Sequence, residues 1–179
     1  QPFALVVTGG LTDEIGVMSG LYSHSNPSVS SNRVQGSPAD THLVWTELGS
    51  GTSTLWYARY DQNGMRTSLV TLDTASDLFG PVTAVGPDNV VYVAYARWQS
   101  AWNYLLWGKK SLDGGSTWVN FPMPPLWVYT SQYGPDVDRS DPIDMVVSSS
   151  NEIHLVFAQF QDNSPTQEQE SLIYAKSSN

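Results

Sequence analysis

The sequence predicts an all-β domain assembled from repeated four-stranded units. Three observations carry that expectation. First, 7 Trp, 9 Tyr and 5 Phe occur in 179 residues, together with 14 Gly and 11 Pro, a mix that favours strands and tight connections. Second, no long stretch repeats its apolar residues at helical spacing. Third, from residue 41 onward one strand pattern recurs three times, at a spacing of roughly 40–50 residues, the length of a four-stranded repeat.

The elements follow in order. Residues 3–8 are a short apolar run closed by Gly9-Gly10 and read as a strand, and residues 15–22 read as another. Residues 23–40 are rich in Ser, Asn, Pro and Gly and read as loop around a short strand near 29–34. The first repeat starts at His42-Leu43-Val44-Trp45, passes a Gly/Ser turn and continues through residues 55–64. The second opens at 81–85, turns at Asp88-Asn89, and continues at 92–95 and 105–110. The third opens at 142–147, turns at Ser150-Asn151, and continues at 154–157 and 172–179. Each copy therefore reads as strand A, a turn, strand B, a loop, strand C, a turn and strand D. The boundaries fall at about 41–76, 77–125 and 141–179, preceded by irregular strands over 1–40.

The turn after strand C of the second repeat reads SLDGGSTW over residues 111–118. Asp113 is placed to accept from amides ahead of it, and Gly114-Gly115 adopt positive φ without steric cost. The octet matches Ser-x-Asp-x-Gly-x-Thr-Trp at Ser111, Asp113, Gly115, Thr117 and Trp118. It resembles the Asp-box of the sialidase-like, or BNR-repeat, β-propellers, and the resemblance spans the repeats over residues 41–179. Laid over it, Asn63, Gly64 and Thr67 fall on Asp113, Gly114 and Thr117 as a decayed box. In the third repeat Ser178 falls on Ser111 and Asn179 on Leu112, so the third blade lacks strand D.

The resemblance implies a β-propeller of four-stranded antiparallel blades, about three to four of them here, against the four to eight of closed propellers. The expectation is an incomplete propeller completed by another copy or another chain. An alternative is a small ring closed by residues 3–8.

In such a propeller the A–B and C–D turns lie on one face, and the B–C loops and D–A crossovers on the other. The Asp-box is then a folding device on the face away from a site. Candidate loops are 46–54, 97–104, 121–141 and 158–170. They carry the candidate ligand-binding residues Trp98, Trp102, Tyr104, Trp127, Tyr129, Tyr133 and Arg139. Rings cover the apolar faces of sugars while polar groups bond the hydroxyls; the same rings equally suit packing between sheets. Asp136, Asp138 and Asp141 offer oxygen ligands for Ca²⁺ without the spacing of an EF-hand loop, and solvated loop acids are the competing reading. His42 and His154 occupy one recurring slot, filled by Tyr92 in the second repeat, which argues a structural role.

A net charge of −9 without a basic run argues against nucleic acid and anionic membrane surfaces as partners. No apolar run reaches a membrane-spanning length. The absence of Cys excludes disulfides and thiolate metal sites. In the resembled family an arginine triad holds the substrate carboxylate, a Tyr/Glu pair supplies the nucleophile and an Asp serves as acid/base. None of these carries over: Arg59 falls in the slot of Lys109 and Lys176, Arg66 lies in a C–D turn, and no Tyr/Glu pair maps. The expectation is an extracytoplasmic or secreted binding or structural module, with other protein chains and a glycan as partners and no cofactor. Two alternatives stand beside it: a glycoside hydrolase whose catalytic residues are completed elsewhere, and a purely structural subunit of an assembly.

Overall fold

The computed structural model describes residues 23–31, 39–100, 103–123, 127–131, 143–164 and 167–177. The strands expected at 3–8 and 15–22 lie outside the described residues. Among the described residues every regular element is a strand, and no helix is long and apolar enough to cross a membrane.

β1 (Ser23–Ser31), β2 (Thr41–Leu48), β3 (Ser53–Tyr60) and β4 (Arg66–Ala75) form one antiparallel sheet in that order. β5 (Leu78–Val85), β6 (Val91–Ser100), β7 (Asn103–Ser111) and β8 (Val119–Phe121) form a second unit. β9 (Trp127–Ser131) follows, and β10 (Ile143–Val147), β11 (Ile153–Ser164) and β12 (Gln167–Lys176) make a third unit. β8 and β9 share the outer edge of β7: β8 pairs at Gly108, Lys109 and Lys110, and β9 at Asn103, Tyr104 and Leu105. β9 also pairs with β11, in parallel, and so joins the second and third units into one eight-stranded sheet. The all-β expectation and the strand order within each repeat hold.

Five expectations are corrected. The first unit begins at β1, inside the stretch read as loop. β1 escapes a hydrophobicity search because its sequence, SHSNPSVSS, has only one apolar aliphatic residue. Backbone pairing with β2 holds it, and the slip between Ser25 and Ser28 accommodates Pro27, which has no amide to donate. Hydroxyls then tie it to β5: Ser30 Oγ donates to Thr83 Oγ1 at 3.3 Å and Thr83 N donates to Ser28 Oγ at 3.2 Å.

The B–C loops are also shorter than expected. Strands run to Leu48, Ser100 and Ser164 and resume at Ser53, Asn103 and Gln167, because continued pairing satisfies the backbone that a loop would leave to water. The crossover over 122–141 is not all loop, since it contains β9.

Two register assignments shift as well. Lys110, not Lys109, lies opposite Tyr92, as Arg59 lies opposite His42 and Lys176 opposite His154. Ser177, not Ser178, is the counterpart of Ser111: it bonds Ile153 as Ser111 pairs with Val91. That count carries the Asp113 position onto Asn179, outside the described residues.

Alternation along β6 explains how the units stack. Val91, Val93 and Tyr95 join Val44, Leu55, Tyr57 and Leu72 of the first unit in one buried cluster. Ala94 and Ala96 point the other way and meet Ile143, Met145, Leu155 and Phe157 of the third unit. The second unit is thus apolar on both sides. A smaller cluster of Trp45, Ala58 and Tyr60 lies on the far side of the first sheet. The opening strands lie side by side, with β5 packed against both β1 and β10. Between them lies an open cleft of 730 Å³, lined by hydroxyls of Ser28, Ser30, Thr83 and Ser148 and by Asp144.

The turns opening the second and third units share a geometry despite different sequences. Gly86 N donates to Val90 O and Ser148 N to Glu152 O, with Asn89 and Asn151 at φ 63° and 62°. Asn tolerates that region because its short amide bonds locally.

Phe157 is 0% exposed at the centre of the cluster between the second and third units. Phe157→Ala is expected to lower unfolding stability by about 3–5 kcal/mol, through lost burial and a residual cavity. Urea titration checks it, and a loss below 1 kcal/mol, well under that range, contradicts the packing described.

Candidate functional site

At the end of the molecule where strands B and C connect, the expected ligand residues divide. Trp98 and Tyr104 lie directly opposite each other on β6 and β7. Tyr104 is 3% exposed, stacks edge-on against Phe79 at 5.0 Å and donates its hydroxyl to Asp77 Oδ2 at 2.8 Å. It is a core residue with its polar tip satisfied. Trp98 is half-buried against the same cluster. The backbones of Tyr129 and Phe160 continue the row, Tyr129 opposite Tyr104 and Phe160 beside Tyr129, with Trp127 opposite Leu105. Trp102, Tyr133 and Arg139 lie outside the described residues, as do the Ca²⁺ candidates Asp136, Asp138 and Asp141. Among the described residues no cluster of three or more His, Asp or Glu is arranged to hold a metal.

Two further carboxylates at this end lie outside the residues that the sequence singles out. Asp77, in the connection from β4 to β5, accepts from Ser53 Oγ at 3.2 Å and from Tyr104, and its carbonyl accepts from Trp98 N at 3.1 Å. Asp73, on β4, accepts from Tyr95 Oη at 2.8 Å and pairs with Arg97 Nε at 3.0 Å. Arg97 in turn lies 4.9 Å over the Trp107 ring. Burial, and then the Asp73 charge, push the Tyr95 hydroxyl well above the ordinary phenol range. Each carboxylate thus clamps the first unit to the second. Their contacts are long-range in sequence, and no local motif marks them.

The opposite end is organised by the octet. Ser111, Asp113, Gly115, Thr117 and Trp118 all act in it. Asp113 Oδ1 accepts from Ser111 Oγ at 2.7 Å, Ser116 N at 3.0 Å and Thr117 N at 2.8 Å, and Oδ2 accepts from Thr117 Oγ1 at 2.7 Å. Ser111 Oγ accepts from Gly115 N at 2.7 Å, and Trp118 Nε1 donates to Gly115 O at 3.2 Å. The hydrogen bonds from Thr117, Ser111 and Ser116 hold the Asp113 carboxyl well below the ordinary carboxylate range.

This turn receives two side chains of the first unit. Tyr57 Oη donates to Gly114 O at 3.3 Å, and Arg59 Nη1 donates to the same oxygen at 2.8 Å. The Trp118 ring meets Tyr57 edge-on at 4.7 Å. Gly115 has φ 94°, and a Cβ there would collide with the Tyr57 hydroxyl and ring. Behind Tyr57, His42 is 2% exposed and its Nδ1 lies 2.7 Å from Oη. Burial lowers the His42 pKa from 6.5 to about 4. His42 therefore has the structural role expected of it.

The turn at 61–65 is built differently from the expected decayed box. Asp61 Oδ1 accepts from Asn63 N and Met65 N, both at 2.9 Å, so the organising carboxylate precedes Asn63 by two residues.

Two outcomes follow. Gly115→Ala is expected to destabilise by more than 2 kcal/mol, because the methyl both meets Tyr57 and strains a positive φ. Truncating Tyr57 in the same chain recovers only the steric part; an unchanged melting temperature for Gly115→Ala sinks this account. For His42, the folded state binds its proton more weakly than the unfolded chain. Its contribution is complete above pH 6.5 and is lost as pH falls towards about 4. Thermal unfolding across that window is expected to fall more steeply for the wild type than for His42→Gln.

Compared with known protein families, curated proteins and solved structures, the chain matches none of them.

Proposed function

We propose that the chain forms blades of a sialidase-like β-propeller and acts outside the cytoplasm as a binding or structural module without hydrolytic activity of its own. The seating of Tyr57 and Arg59 on the 111–118 turn carries the reading, because it makes the box a joint between neighbouring sheets, as a folding device would be used. The adjacency of β1, β5 and β10 around one cleft supports it, as blades around an axis would be arranged. Asp73 and Asp77 are engaged by tyrosine, serine and arginine between sheets, an arrangement suited to clamping.

The ligand class this reading favours is carbohydrate. Trp98 and the Trp127–Ser131 strand lie at the end where β6 gives way to β7, and the strands flanking 101–102 and 132–142 end there too. The test is a glycan array on the full chain, followed by titration of Trp98→Ala, Trp102→Ala and Trp127→Ala. Binding is expected to weaken by about tenfold, or about 1.4 kcal/mol, with folding retained. Binding unaffected by all three substitutions overturns the placement. No binding by the wild type removes carbohydrate as ligand and leaves the structural role.

A further inference from the structure

The outward face of the third unit repeats the face by which the first unit holds the second. In the first unit His42 lies opposite Arg59 and Val44 opposite Tyr57. In the third, His154 lies opposite Lys176 and Val156 opposite Tyr174, with Leu172 in the place of Leu55. The polar geometry is reproduced as well. Nδ1 of the histidine lies 2.7 Å from the tyrosine Oη in the first unit and 2.8 Å in the third. The ring centroids are 6.0 Å apart at 29° in one and 6.1 Å apart at 31° in the other.

What differs is cover. Val44, Leu55 and Tyr57 are each 0% exposed, whereas Val156, Leu172 and Tyr174 are 36%, 77% and 60% exposed. Val146, on the adjoining strand, adds a further exposed apolar side chain. Val146, Val156, Leu172 and Tyr174 are thus exposed apolar side chains on neighbouring strands, beside the Lys176–Glu152 ion pair.

We infer that this face docks an antiparallel sheet of another polypeptide, one whose strand-end turn follows the Ser-x-Asp-x-Gly-x-Thr-Trp pattern. The Tyr57 joint defines the partner's chemistry. It offers a backbone carbonyl at the first glycine position to Tyr174 and Lys176, a second glycine with room for the Tyr174 hydroxyl, and a tryptophan edge for its ring. A second copy of the chain does not fit, because its octet at 111–118 is already filled by its own Tyr57, and its 61–65 turn has a different geometry. The inference rests on the stacking proposed above.

The experiment places a benzophenone amino acid at Leu172 of the full chain and irradiates it in an extract of the cells that encode it. Adducts are sequenced by mass spectrometry. The expected result is an adduct on a different polypeptide that carries a Ser-x-Asp-x-Gly-x-Thr-Trp segment, within the sheet that ends in that segment. Its yield falls by about tenfold with Tyr174→Ala, the scale of losing an anchor residue. The same probe at Leu112, exposed on the second unit's turn, is expected to give no such adduct. Adducts on polypeptides without the pattern, adducts on a second copy, or no adduct from a chain that melts like the wild type each overturn the inference. Gly115→Ala separates the two failures: if it destabilises as stated while no box adduct forms, the stacking stands and the docking falls.

Discussion

The mutual orientation of the first two sheets depends on the seating of one tyrosine. The apolar cluster between them attracts without direction, and on its own it tolerates sliding of one face over the other. Tyr57 removes that freedom. Its ring enters the space left by Gly115, its hydroxyl reaches Gly114 O, and Trp118 closes on its edge. The hydroxyl has one hydrogen, and Gly114 O can only accept. With the hydroxyl proton directed to Gly114 O, a neutral His42 carrying its proton on Nδ1 completes the set as donor to Tyr57 Oη. Burial of His42 acts in the same direction by disfavouring the charged ring. The Asp113 network supports the joint from behind, by fixing the loop that presents the carbonyl.

The other end of the same interface is held by charge. Asp73 and Asp77 both leave the first unit at its last strand and the connection beyond it, and both are bonded by residues of the second: Tyr95 and Arg97 for one, Tyr104 and the Trp98 amide for the other. Ser53 adds a hydroxyl of the first unit to Asp77. Asp77 is buried and Asp73 half-buried, and carboxylates so placed are tolerated when side-chain donors satisfy them, while removing one partner is costly. Polar contacts therefore pin both ends of the interface, and the apolar cluster fills the middle. This gives the stack a defined angle that burial alone would not.

Much of this was legible in the sequence. The octet announced its own hydrogen bonds, because Ser, Asp, Gly and Thr at those spacings act locally. The repeats announced the units, because β6 and β11 are rich in β-branched and aromatic residues. The strand β1 was not legible, since Ser and Asn carry no apolar signal and its partners are backbone and hydroxyl groups supplied by β2 and β5. The repeat register slipped by one in β7 because Leu105-Leu106 and Lys109-Lys110 are doublets, and either member fits a pattern. In a strand such a slip moves a residue to the opposite face, and only the pairing of Lys110 with Tyr92 decides it. At the candidate ligand end, Tyr104 reads like any loop aromatic until β7 is seen to begin at Asn103 and carry the ring inward.

The paired histidine and tyrosine show which property comes first. His42 with Tyr57 is buried, and His154 with Tyr174 is exposed, yet their distances and ring angles nearly coincide. Docking therefore does not create the arrangement. Cross-strand register creates it, by setting β2 against β3 and β11 against β12 with the same offset. A tyrosine already held by its histidine loses little rotamer freedom when a neighbouring sheet closes over it. The entropy that ordinarily opposes burial of a long side chain is thereby spent on folding the sheet and not on stacking it.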